Sequence, residues 1–267
     1  MDDQLRPTAA TVFDALGADY ERAFAGSAAH RASLQRLLTR LAPHSRILDV
    51  GSGTGRPTAQ SLADAGHDVL GVDVSPVMVD LAAHQVPGAT FQCADIRELV
   101  LEDESFDAVC VYFSLLQMSR AEQSRLLHRL GRSLRHGGHL VVATVPLDVE
   151  DVGAVFMGQK VHVTSFGADE FTSVVTGAGL AVEWEQNSVF TPSHPEAVPE
   201  PHLFLHCVRL SRTGMIDGCW SAQRRWPGAR GTDEGARPLG RRNGGGPPAR
   251  RRTWADGTMS SEASTRT

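Results

Sequence analysis

Through the first 210 positions, apolar residues gather into short unbroken runs, and between the runs they recur every three or four residues. The runs near 46–50, 68–72, 90–94, 107–112 and 139–145 have the length of buried strands. The stretches between them, near 57–66, 77–85 and 121–135, have the helical period. Such alternation predicts an α/β domain with a parallel sheet and helices on both faces. Residues 10–42 read as helix, with Leu34, Leu37, Leu38 and Leu41 on one face and Pro43 ending it. Residues 146–165 are less regular, with Val161-His162-Val163 as a candidate short strand. A helix is expected near 168–178. Two further strands read at 180–190 and 203–210, joined by a loop holding Pro192, Pro195, Pro199 and Pro201.

The run Ile47-Leu48-Asp49-Val50 leads into Gly51-Ser52-Gly53-Thr54-Gly55, a strand ending in an acid and then a glycine-rich turn into a helix. Glycine is required where the backbone takes positive φ or a ligand lies against the main chain, and the helix N–H groups that follow face that ligand. The dinucleotide fingerprint is G-x-G-x-x-G. Here the third glycine is one place early and Arg56 stands where the fingerprint needs glycine. A second apolar run, Val69 to Val72, ends in Asp73, 22 positions after Gly51. That is close to the offset of roughly 20 residues at which a carboxylate takes ribose hydroxyls in nucleotide-binding α/β folds. Ser75-Pro76 then caps and opens a helix.

The G-x-G-x-G loop after Asp49 resembles motif I of the class I S-adenosylmethionine (AdoMet) methyltransferases. The stretch VDVSPVMVDLA, from Val72, resembles their motif II, and Phe91-Gln92-Cys93-Ala94-Asp95-Ile96 their motif III. Ser105 to Phe113 resembles the "FD-apolar" strand of motif IV. Leu134-Arg135-His136-Gly137-Gly138 resembles the turn into the fifth strand, with His136 in place of the usual proline. The likeness covers roughly residues 10 to 210. It implies a Rossmann-like three-layer sandwich whose seven-stranded, mostly parallel sheet has an antiparallel last strand. It also implies AdoMet as cofactor, held by Asp49, Gly51, Ser52, Gly53 and Thr54 at the methionine end. Asp73 and Val74 would lie at the ribose, Met78 against adenine, and Asp95 and Ile96 at the adenine amino group and ring nitrogen. On the residues alone, Asp95 equally suits the cap of a short turn at 96–99. Tyr112 and Phe113 would border the methyl-transfer region, which in related enzymes faces the segment 112–118.

Three parts are expected: an N-terminal helical cap (1–45), the AdoMet-binding methyltransferase domain (46–210) and a disordered Arg/Gly/Pro-rich tail (211–267). The tail holds three of the four tryptophans and shows no structural period. It offers too little apolar surface to offset chain entropy. The alternative for the tail is a segment that binds RNA or an anionic membrane. Charge divides along the same line, with 15 basic and 26 acidic residues in 1–210 against 11 and 5 in 211–267. An acidic body argues against nucleic acid as the main substrate, because phosphate contacts dominate such binding. The four cysteines lack C-x-x-C spacing, which favours a reducing cytoplasm and gives no sign of a metal or disulfide framework. No signal-peptide pattern is present, nor an apolar run approaching the roughly 20 residues of a membrane span.

The sulfonium methyl is already activated, so the protein mainly aligns an acceptor and excludes water. A base is needed only if the acceptor enters protonated. No base announces itself. Gln117 could orient a substrate, Tyr20 resembles the aromatic that closes over the cofactor, and His162 lies in the irregular insert. The expected function is methyl transfer to an O, N or C atom of a small organic acceptor. The alternatives are an AdoMet-holding scaffold or cyclase without transfer, an NAD-dependent oxidoreductase, and a protein or RNA methyltransferase using the basic tail. Oligomeric state is not legible.

Overall fold

The computed structural model describes residues 6–210. The expected disordered tail lies outside the described residues. Helices α1 (Ala9–Leu16), α2 (Ala18–Phe24) and α3 (Ala28–Leu38) open the chain. Then come β1 (Arg46–Val50), α4 (Thr58–Asp64), β2 (Asp68–Asp73), α5 (Pro76–Gln85), β3 (Thr90–Cys93), β4 (Phe106–Tyr112), α6 (Arg120–Ser133) and β5 (Leu134–Thr144). The remainder is β6 (Val149–Phe156), β7 (Gln159–Ser165), α7 (Ala168–Gly177), β8 (Leu180–Phe190) and β9 (Glu200–Arg209).

Seven strands form one sheet in the order β3-β2-β1-β4-β5-β9-β8. All neighbours from β3 to β5 are parallel, and β9 runs antiparallel to both β5 and β8. The expected mostly parallel sheet with an antiparallel last strand is thus the observed one. After β1 the chain moves outward to β3, then crosses back to pair β4 on the other side of β1. The crevice at the carboxyl ends of β1 and β4 is the switch point where open α/β sheets take ligands.

Strand residues alternate between two apolar layers. Leu48, Val50, Val109 and Val111 face a core with α6 and α7, around Leu127 and Phe171. Ile47, Ala108, Cys110 and Phe204 face the other, with Leu34 and Leu37 of α3 and Leu62 of α4. Burial on both faces is why these strands read as unbroken apolar runs.

Three expectations are corrected. Residues 10–42 are three helices, because Gly17 turns at φ +48 between α1 and α2, and Ser27 starts α3 by accepting the His30 N–H. Residues 146–165, read as irregular, contain the antiparallel hairpin β6–β7. It reverses at Met157-Gly158, both at positive φ, so the turn hides in a non-glycine residue. Strand β5 starts at Leu134, with Leu134 paired to Phe106. The glycine turn expected there is an irregularity within the strand, where the register with β4 shifts.

Helix α1 is tied down by Asp14, which accepts from Ser75 Oγ at 2.5 Å at the start of α5. Arg6 donates to both carboxylate oxygens of Asp151 on β6 at 2.9 Å. These polar ties join the amino-terminal segment to the sheet tips and the hairpin. Among the described residues no helix is long and apolar enough to cross a membrane.

Candidate functional site

Two cavities open at the carboxyl ends of β1, β2 and β4. One, of about 240 Å³, runs from the glycine loop to His30 and His202. The other, of about 330 Å³, lies between Asp73, Asp95, Gln117 and His162. Both are bordered by Tyr20, Gly51, Gly53, Tyr112 and Phe113.

Positive φ at Gly51, Gly53 and Gly55 builds the loop. Their neighbours differ. A Cβ on Gly51 would stand 2.3 Å from the Ser114 Cβ, whereas one on Gly53 meets nothing within 4 Å. Gly51 is glycine because the chain after β4 passes against it, and Gly53 leaves open space above the loop. Gly51→Ala is therefore expected to lower stability by at least ~2 kcal/mol through strain and clash. Gly53→Ala should carry only the conformational cost of about 1–2 kcal/mol. Thermal melting of the two variants checks the order, and equal melting points would remove the distinction.

Asp73 ends β2 and holds the loop in place. Its Oδ2 accepts the Gly53 N–H and its Oδ1 the Ser75 N–H, each at 2.9 Å. Burial pushes its carboxyl up, and the backbone N–H groups of Ser75, Gly53 and Val74 oppose that. Asp49, one strand over, is almost wholly buried, and its Oδ2 has no hydrogen-bond partner. Burial, then the charge of Asp73, raises its carboxyl to about 7. An unpartnered buried carboxylate is costly unless a cation or donor meets it. Asp95 follows β3. Its oxygens accept from Arg97 Nε at 3.0 Å, and Arg97 reaches on to Glu122 at the start of α6 at 2.8 Å. The hydrogen bonds from Arg97 hold the Asp95 carboxyl below its ordinary range.

Of the sequence candidates, Asp49, Ser52 and Thr54 border the smaller cavity, and Val74, Asp95, Ile96, Gln117 and His162 the larger. Asp73 borders the larger cavity, and Tyr20 both. Met78 is fully buried and is not among the residues bordering either cavity; its N–H donates to the Ser75 cap of α5. Tyr112 borders the cavities, but its hydroxyl lies 3.1 Å from Ser33 Oγ in the interior, so its polar end is already engaged. Asp95 borders the larger cavity and accepts the Arg97 N–H as the cap of a short turn. His162 pairs with Asp151 at 3.0 Å.

The bordering residues that the sequence reading gave no role include His30, His202 and Phe24. Burial, then the neighbouring His202 and Arg31, lowers His30 to about 4, so its ring is neutral near pH 7. Nothing in the local sequence of β9 signals His202. Only its partner two places earlier, Glu200, hints at a role.

The residues fit a ligand with a cationic end, a vicinal diol and an aromatic base. Asp49 offers an unpartnered buried oxygen, Asp73 a fixed carboxylate, and the Gly53 backbone an open approach.

The sheet order and the flanking helices form a Rossmann-like sandwich of the kind found in solved methyltransferases. Residues 47–138 match the family model described as a methyltransferase domain. That match spans about a third of the chain and marks a methyltransferase domain there, and the fold around it is the one seen in solved AdoMet-dependent methyltransferases. It is 41% identical over 113 residues to the demethylmenaquinone methyltransferase of Beutenbergia cavernae, covering 42% of this chain and 45% of that protein. The chain thus aligns with less than half the length of this relative. The 1,6-didemethyltoxoflavin-N1-methyltransferase of Burkholderia thailandensis, solved with its substrate and S-adenosylhomocysteine, superposes with a TM-score of 0.57 at 21% identity, over 79% of this chain and 98% of that one. The [4+2]-cyclase SpnF superposes with a TM-score of 0.59 at 19% identity, over 77% and 98%. At such identities these two structures report the fold alone.

Proposed function

We propose that this chain is an AdoMet-dependent methyltransferase acting on a small organic molecule. One observation carries the reading: Asp49, Asp73 and Asp95 lie at or just beyond the carboxyl ends of neighbouring strands, Asp49 on the smaller cavity and the other two on the larger, and both cavities share Tyr20, Gly51 and Gly53. A sulfonium nucleoside presents an ammonium, a ribose diol and an adenine at matching intervals. In this reading Asp49 meets the cationic methionine end. Asp73 accepts from the ribose hydroxyls with lone pairs left free by Gly53 and Ser75. Asp95 accepts from the adenine amino group while the Ile96 N–H meets a ring nitrogen.

The cofactor supplies an activated methyl group when bound. The protein's own part is to align the acceptor and keep water out. Tyr20 stands edge-on to Phe13 with ring centres 5.4 Å apart and lies 4.9 Å from Phe24, closing an aromatic wall over the glycine loop. Gln117 and His162, on the far side of the larger cavity, are positioned to orient an acceptor. Helices α1 to α3 serve as the cap of the site. The buried thiols Cys110 and Cys207 fit a reducing compartment, and we infer a cytoplasmic location.

Calorimetry with AdoMet on folded protein tests the reading, with saturable binding expected and its absence decisive against it. Release of S-adenosylhomocysteine with a panel of small hydroxylated and amine acceptors then separates transfer from a scaffold that only holds the cofactor.

A further inference from the structure

The part of the smaller cavity bordered by Phe24, His30 and His202 is not accounted for by the cofactor reading. There Tyr20, Phe24, Phe113 and His202 border the cavity, with ring centres 4.9 Å apart for Tyr20 and Phe24 and 4.4 Å for His202 and Phe113. Phe190 stands behind them, 5.7 Å from Phe24 and 5.6 Å from His202, and links the two pairs. His202 is 1% exposed, and its Nε2 lies 2.9 Å from Glu200 Oε1. Its Nδ1 is buried without a partner. A carboxylate beside Nε2 fixes that nitrogen as the N–H donor, which leaves the lone pair on Nδ1. A buried imidazole nitrogen with nothing to bond is costly for the fold alone. The His202 ring borders the smaller cavity, where a ligand's hydroxyl can meet it.

We propose that His202, oriented by Glu200, accepts the proton of a flat hydroxyl-bearing aromatic acceptor bound against this ring-lined wall. The proposal rests on the methyl-transfer reading and names its acceptor class. The acceptor O–H proton passes to Nδ1, and the freed oxygen pair forms the bond to the methyl carbon. The pair of the broken C–S bond stays on sulfur. The imidazolium so formed is balanced by Glu200, a positioning residue. The other titratable groups around this cavity are His30 on α3, Tyr20 and Glu21 on α2, Asp49 on β1 and Arg56 on the loop. His30 cannot take the role as readily, since its Nε2 is engaged with Thr58 Oγ1 at 3.1 Å and its basicity is depressed by burial.

The test uses the full chain with S-adenosylhomocysteine present and 4-nitrophenol as the probe. The phenolate band is followed against pH for the parent, His202→Gln and Glu200→Gln. The parent is expected to favour bound phenolate by at least ~10-fold over His202→Gln, with Glu200→Gln between them. Identical ionisation curves for all three proteins, or no saturable spectral change with the parent, overturn the proposal. Glu200 sits at the start of β9, half-buried, so Glu200→Gln keeps the test decisive should His202→Gln fold poorly. AdoMet calorimetry on the same samples keeps the two ideas apart. Binding of AdoMet without the phenol effect sinks only the base, whereas no AdoMet binding sinks the methyl-transfer reading beneath it.

Discussion

Asp73→Ala is expected to weaken binding of AdoMet and S-adenosylhomocysteine by at least ~100-fold. Two charge-assisted hydrogen bonds to a ribose diol contribute about 1.5–3 kcal/mol each, and alanine removes both. The same change strips partners from the Gly53 and Ser75 N–H groups, which Asp73 holds at 2.9 Å. Each orphaned donor costs about 1–3 kcal/mol where water cannot replace the carboxylate, so the loop loosens as the ligand contact is lost. Asp73→Asn retains one acceptor oxygen and should fall between the parent and alanine in both respects. Calorimetry with S-adenosylhomocysteine, run beside melting curves, checks the result. An alanine variant that melts lower but binds as tightly as the parent would leave Asp73 as a loop clamp and nothing more.

The second large effect is a pH dependence centred on Asp49. Its folded carboxyl is raised to about 7 by burial and then by the Asp73 charge. A raised carboxyl makes the folded state bind a proton that the unfolded state releases near pH 4. The stabilisation is therefore full below about pH 4 and disappears as pH rises through about 7. At about 1.36 kcal/mol per unit the span is at most ~4 kcal/mol, with Asp73, raised in the same direction, sharing in it. Asp49→Asn should leave the ligand-free protein more stable than the parent near pH 8, with a flatter stability profile. The ligand response is the reverse. A cationic group beside Asp49 favours the carboxylate, so AdoMet binding near pH 6 should release up to one proton in the parent and none in Asp49→Asn. Calorimetry in two buffers of different ionisation enthalpy measures that proton. Equal release by both proteins would place the cation elsewhere.

These predictions draw on residues of two kinds. Asp73 is visible in the sequence because an unbroken apolar run ends on it at the expected distance from a glycine loop. Asp49 is visible as a residue, but its proton chemistry is not: that arises because β2 and β4 flank β1 and shut water out. Met78 is likewise visible as a motif position, but its complete burial is not. Of the hairpin β6–β7 only a piece of β7, Val161 to Val163, was legible, because the reversal puts Met157 as well as Gly158 at positive φ and methionine carries no turn preference.

The amino-acid order by itself determined the α/β class, the seven strands, the glycine loop and the three acids at their ends. Each is a local signal: run length, helical period, or the backbone freedom of glycine. Which acids lack partners, which histidines meet the cavity, and how α1 is anchored through Asp14 were decided only by the tertiary structure. Those facts depend on segments distant in sequence being brought together, as β9 carries Glu200 and His202 beside Phe113 at the tip of β4. No periodicity within one segment encodes its distance to another.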